Sequence, residues 1–143
     1  MEEMLMNDQI LSRNQIQERI MISLYQYLFY VSIDEKPDIQ EIIDNVFNAS
    51  MGSIDEFARK TIIAAIQYGP EGVEEISKHL KEFTFERLNI VEQALLLMGY
   101  AELVHMQIPK QVVINVCVKL AQKFSDFNSF KYINAVLENI NNG

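Results

Sequence analysis

The stretch that decides the fold is FERLNIVEQALLLMGYAEL, residues 85 to 103. Asn89 followed three residues later by Glu92 is a cap-and-acid pair, the arrangement that satisfies free backbone N–H groups at the start of a helix. Beyond it Ala94, Leu95, Leu97, Met98 and Leu103 leave almost no polar face, so this helix is expected to be central and nearly surrounded by others. The apolar run Ala94 to Gly99 is far shorter than the roughly 20 residues needed to cross a bilayer. A buried helix in a water-soluble protein is therefore expected, and the cytoplasm is the expected compartment because a single cysteine allows no disulfide framework and no basic segment precedes an apolar cleavable run.

Working outward, apolar residues recur at helical spacing on both sides. Ile16, Ile20, Leu24, Tyr27, Leu28 and Val31 mark a long first helix ending before Pro37. Asp38 with Glu41 opens a second, carrying Ile39, Ile42, Ile43, Val46 and Phe47 and ending near Ala49. Ser53 with Glu56 opens a third through Phe57, Ile62, Ile63, Ala65 and Ile66. Gly69 and Pro70 stop it and start a short fourth with Val73, Ile76 and Leu80. Phe83 to Leu88 reads as a connecting turn with aromatic anchors. After the central helix, Pro109 opens another through Val113, Cys117, Leu120, Ala121 and Phe124. Asn128 or Ser129 starts a last one with Phe130, Ile133, Leu137 and Ile140. The expectation is an all-α chain of about seven helices in one domain, residues 1–10 being a loosely ordered lead-in.

Composition narrows the functions. The 143 residues are 49% apolar with only 5 Gly and 3 Pro, enough for a real core and few turns. Twelve Lys+Arg against twenty Asp+Glu give a net charge of −8, which opposes nonspecific polyanion binding by the whole surface. The imbalance lies in residues 1–82; residues 83–143 carry equal numbers of acids and bases, so a polyanion would prefer that half. Cys117 is the single cysteine, which excludes an internal disulfide and a cysteine-based zinc site. It falls on an apolar stripe and reads as a small buried hydrophobe.

The common phosphate-cradle, dinucleotide, hydrolase and zincin motifs are absent. His79 and His105 fall on different helices without acidic or cysteine neighbours at metal spacing, so no metal, cofactor or catalytic group is expected. Glu74 and Glu75 read as solvated charges. Two features stand out. Lys119, Lys123, Phe124, Phe127, Phe130, Lys131 and Tyr132 interleave cations and aromatics across a loop, an arrangement able to hold a stacked base and its phosphate, although rings at helical spacing also serve as core. Arg13, Arg19, Tyr25 and Phe29 form an exposed polar and aromatic set on the first helix, a pattern that packing plus ordinary surface charge gives equally well.

FERLNIVEQALLLMGYAEL, then IPKQVVINVCVKLAQKF, then SFKYINAVLENI resembles in order and spacing the C-terminal half of the NusB family of bacterial transcription antitermination proteins. The matching elements are the Glu86-Arg87-Leu88 turn, Glu102-Leu103, Ile108-Pro109, Ile114-Asn115, and Lys131, Tyr132, Asn134 and Leu137. Glu18, Leu24 and Tyr25 match on the first helix. The resemblance covers residues 83–140 closely, 13–29 in part, and 30–82 thinly. It implies two packed three-helix bundles and a binding protein without catalysis, which pairs with the ribosomal protein NusE and holds boxA-type single-stranded RNA within the RNA polymerase antitermination complex during ribosomal RNA synthesis.

The resemblance places NusE-facing positions at Tyr25, Phe29, Glu86, Val91 and Glu92, and RNA-proximal ones at Arg13, Gln17, Lys123, Asn128, Ser129 and Lys131. Of the family's basic cluster on the first helix, which falls on Arg13, Asn14, Gln15 and Gln17, only Arg13 keeps a charge. Leu97 and Val116 stand where the family commonly has an arginine and a glutamate, an exchange that need not destabilise the fold. These departures leave a second reading open, a NusB-like protein-interaction module that has lost RNA binding, homodimeric or partnered. Glu92→Lys is expected to weaken NusE binding without unfolding, on the premise that Glu92 is exposed. Gln15→Arg with Gln17→Arg is expected to strengthen RNA binding.

Overall fold

The computed structural model describes residues 11–48, 54–126 and 128–141; the expectations for residues 1–10, Ala49, Ser53 and Phe127 lie outside them. The described residues form seven α-helices and no strand. In chain order the helices are α1 (Arg13–Ser32), α2 (Ile39–Phe47), α3 (Glu56–Gln67), α4 (Gly69–Ser77), α5 (Ile90–Tyr100), α6 (Lys110–Phe124) and α7 (Ser129–Asn139).

Helix α1 starts earlier than its apolar stripe. Ser12 accepts from the Gln15 backbone N–H while the Gln15 side chain accepts from that of Ser12, a closed capping box. Ile16, Ile20, Met21 and Leu24 are buried, but the stripe leaves the core toward the C-terminal end and Val31 is half exposed. Asp38 caps α2 through the Glu41 N–H, and the helix stops at Asn48 in the left-handed conformation. Helix α3 is capped by Asp55, whose carboxylate accepts from the Ala58 N–H. Its buried face runs through Ala58, Thr61, Ile62 and Ala65, which leaves Ile63 outside the stripe and exposed.

Helix α4 closes tightly on α5 because Gly72 faces the Tyr100 ring: a Cβ there would lie 3.0 Å from Tyr100 Cδ2. A 3-10 turn, Phe85–Arg87, then buries Phe85 while Glu86 stays outside. Every residue from Ala94 to Leu103 is buried, as expected of the central element. The helical path does not end at Tyr100 but runs on through one π turn, Ala101–His105. Cys117 is buried on α6, whereas Phe124, expected on the same stripe, is exposed where the helix ends.

Helices α5, α6 and α7 pack mutually as one bundle, and α1 with α2 and α3 forms the other. The α1–α5 contact joins them, with α4 bridging α3 and α5. One continuous apolar cluster runs through both.

Candidate nucleic-acid and partner interface

The N-terminal end of α1 presents Arg13 at the surface, its guanidinium 4.0 Å from the centre of the Phe57 ring on α3. That cation–π contact pre-orients the charge without neutralising it. Gln17, one turn further, is not beside it at the surface. It is 3% exposed, and its amide donates to Glu102 Oε1 at 3.0 Å, so the side chain is committed to the interior. Lys123, at the last turn of α6, reaches across to Glu18 of α1 at 2.7 Å. Arg19 turns away from the exposed set and donates to the Val46 carbonyl.

A second cluster forms where the start of α5 meets the α6–α7 loop. Asn89 accepts from the Glu92 N–H and Glu92 accepts from that of Asn89; the Ser125 hydroxyl donates to Glu92 Oε2 at 2.8 Å and accepts from the Asn89 amide. Glu92 is consequently 5% exposed, against the expectation of a surface acid. Beside it lies a groove of about 260 Å³ lined by Phe83, Arg87, Asp126, Asn128, Ser129 and Tyr132. Asn128 is exposed there and Lys131 is exposed on the first turn of α7, but Ser129 is buried with its hydroxyl donating to the Asp126 carbonyl. The Tyr132 hydroxyl is covered and close to Glu92, and burial followed by that carboxylate pushes its pKa up. Along the chain Arg87 belongs to the turn before α5; its place in this groove depends on how α5 and α7 meet, which no spacing along the chain announces.

The outer face of α1 is the third element. Tyr25 and Phe29 are exposed and stacked with ring centres 6.5 Å apart, and Tyr30 meets Phe29 edge-on. Val31 and Ile33 extend this apolar strip. It borders a groove of about 280 Å³ whose walls include Leu24, Leu28, Ile66, Val73, Phe85 and Leu97. Glu86 is exposed on the 3-10 turn and Val91 is half buried.

Both histidines have acidic partners, against the expectation of none: that of His79 lies four residues back along the chain, and that of His105 is supplied only by the fold. His79 meets Glu75 one turn earlier, and His105 meets Glu71 at 2.6 Å across the α4–α5 contact while stacking on Tyr68 at 3.6 Å. Glu71 also accepts from the Tyr100 hydroxyl, and these two hydrogen bonds hold its carboxyl below the usual range. Among the described residues no group of three or more His, Cys, Asp or Glu is placed to hold a metal ion, and no helix is long and apolar enough to cross a membrane.

The sequence pattern of the NusB family matches residues 53–142. The chain is 32% identical over 117 residues to the transcription antitermination protein NusB of Oceanobacillus iheyensis, an alignment covering 81% of this chain and 90% of that one. This chain belongs to the NusB family. The NusB of Staphylococcus epidermidis is 31% identical over 84% of this chain and 94% of its own length, and that of Macrococcus caseolyticus is 38% identical over 60% and 66%. Among solved structures, Thermotoga maritima NusB superposes with a TM-score of 0.77 at 22% identity, covering 90% of this chain and 89% of that one, and supports the fold. A crystal structure of antitermination factors NusB and NusE in complex with double-stranded RNA contains a chain that superposes with a TM-score of 0.74 at 25% identity, over 88% of this NusB-family chain and 92% of its own.

Proposed function

We propose that this chain is a transcription antitermination factor that pairs with the ribosomal protein NusE and binds boxA-type RNA in nascent ribosomal RNA transcripts, acting as one helical unit without catalysis. The observation that carries the reading is the likeness, over nearly nine-tenths of the chain, to a NusB solved together with NusE and RNA. Exposed Tyr25, Phe29 and Glu86 then supply the partner face, an apolar centre beside an acid, which suits a basic ribosomal protein. Val91 contributes at its edge. Arg13, Lys123, Asn128 and Lys131 are the RNA-facing groups, with Gln17, Ser129 and Glu92 holding their supports from beneath.

Replacing Tyr25 and Phe29 together by alanine is expected to weaken NusE binding at least tenfold, as loss of aromatic anchors does, with little change in the circular dichroism spectrum. Full affinity in the double variant would move the partner face elsewhere. Arg13→Ala is expected to weaken boxA-type RNA binding and to lower its salt dependence by about one counterion. An unchanged salt slope would remove the N-terminal end of α1 from the RNA path.

A second reading, an interaction module without RNA binding, is favoured by the engagement of Lys123 with Glu18 and by the net charge of −8. Labelled boxA-type RNA titrated with this chain, alone and with NusE, at low and near-physiological salt separates the two. RNA binding that tightens when NusE is present supports antitermination. NusE binding without any gain in RNA affinity supports the second reading, and sedimentation of the chain alone shows whether the exposed α1 face pairs with its own copy instead.

A further inference from the structure

The interior contact between α1 and the π turn leaves an unequal hydrogen-bond count. Gln17 Nε2 donates to Glu102 Oε1 at 3.0 Å, yet Gln17 Oε1 and Glu102 Oε2 are both fully covered and have no partner. Both are acceptors if Glu102 is ionised, so neither can serve the other, and two buried polar atoms would stand unmet. One proton changes the count. On Oε2 it turns that oxygen into a donor, and Gln17 Oε1 is the acceptor left over on the adjoining side chain.

We infer that Glu102 is carried as the neutral acid and closes a two-bond acid–amide ring with Gln17, making this contact a proton-dependent joint between α1 and the π turn. The surroundings agree. Glu102 is wholly buried and no salt bridge reaches it among the described residues. The groups that act on it are Arg13 from α1, which stands at the surface over Phe57, and the Cys117 thiol from α6, itself buried. Neither is a counter-ion in contact. Burial pushes the Glu102 carboxyl up to about 7, with the Gln17 hydrogen bond and Arg13 drawing it down only in part. Glu102 stands in the π turn that continues α5, between buried Ala101 and buried Leu103, so its place in the chain holds it in the interior.

The sign of the linkage follows. The folded state keeps the proton up to about pH 7 while an unfolded glutamate loses it near 4.5, so stability is full below that lower value. It declines as pH rises between the two, and the folding equilibrium constant falls by about tenfold per pH unit at the steepest. Deprotonation opens the ring at one of its two bonds. The joint forms within the chain alone, without NusE or RNA.

The experiment is a carbon-13 titration of the Glu102 carboxyl in the wild-type chain, together with urea unfolding of wild type and Glu102→Gln from about pH 5 to about pH 8. A carboxyl that is protonated at pH 6 and titrates near 7, with the wild-type decline in stability flattened in Glu102→Gln, is the expected result. The amide keeps both ring hydrogen bonds without the proton, so the variant should fold. A Glu102 resonance titrating in the ordinary glutamate range would overturn the joint whether or not the variant folds, as would an equal pH slope in the two chains.

Discussion

Glu92→Lys is expected to cost about 3–5 kcal/mol of stability, the scale for leaving a buried charge without its partners. The carboxylate accepts from the Asn89 N–H on one oxygen and from the Ser125 hydroxyl on the other, inside a site only 5% exposed. A lysine removes both acceptors, brings a cation to the positive end of α5 and unties the α6–α7 loop from that helix. Glu92→Gln keeps one acceptor and is expected to cost about 1 kcal/mol, near the value of a single cap. Urea denaturation of the two variants reads the difference. A Glu92→Lys chain with wild-type stability and reduced NusE affinity would return Glu92 to the surface role the sequence suggested.

That reversal shows where sequence reading stops. A glutamate three residues after a capping asparagine reads as an exposed first-turn acid, and its own side of the cap was read correctly. Its second partner, Ser125, lies 33 positions away and is brought to it by the packing of α6 on α5. Gln17 is the same case at greater range: the residue it bonds is 85 positions distant. Polar groups are assigned to the surface by default because burial is costly, and the exceptions are those with a partner that only the tertiary fold supplies.

The helices themselves were legible because their cause is local. Spacing of Ile, Leu and Val at three and four residues placed α1, α2, α5, α6 and α7, and the Asp38 and Asn89 caps marked two starts. Ile63 failed because adjacent apolar residues are about 100° apart around a helix, and Ile62 already occupied the inner position. The π turn carries no pattern of its own. The Tyr25–Phe29 strip was visible as two aromatics one turn apart on the less apolar side of α1, whereas Arg87 joined its groove only through the meeting of two helices distant in sequence.

The exchange at positions 97 and 116 that the family resemblance implies can be tested directly in this chain. Leu97 is 6% exposed, one of its methyls lies 3.2 Å from where a Gly72 Cβ would stand, and it forms part of the apolar groove with Leu24 and Phe85. Leu97→Arg therefore puts a guanidinium among the largely apolar walls of that groove, and a loss of about 3–5 kcal/mol is expected. Val116, half buried against the same core from α6, is expected to tolerate glutamate at a cost of about 1–2 kcal/mol. If the leucine and valine stand in for an arginine and a glutamate that belong together, the double variant recovers part of the first loss. A coupling of about 1–3 kcal/mol in the double-mutant cycle is the expected value. Strictly additive losses would mean that the two positions do not meet, and that each became apolar for its own packing.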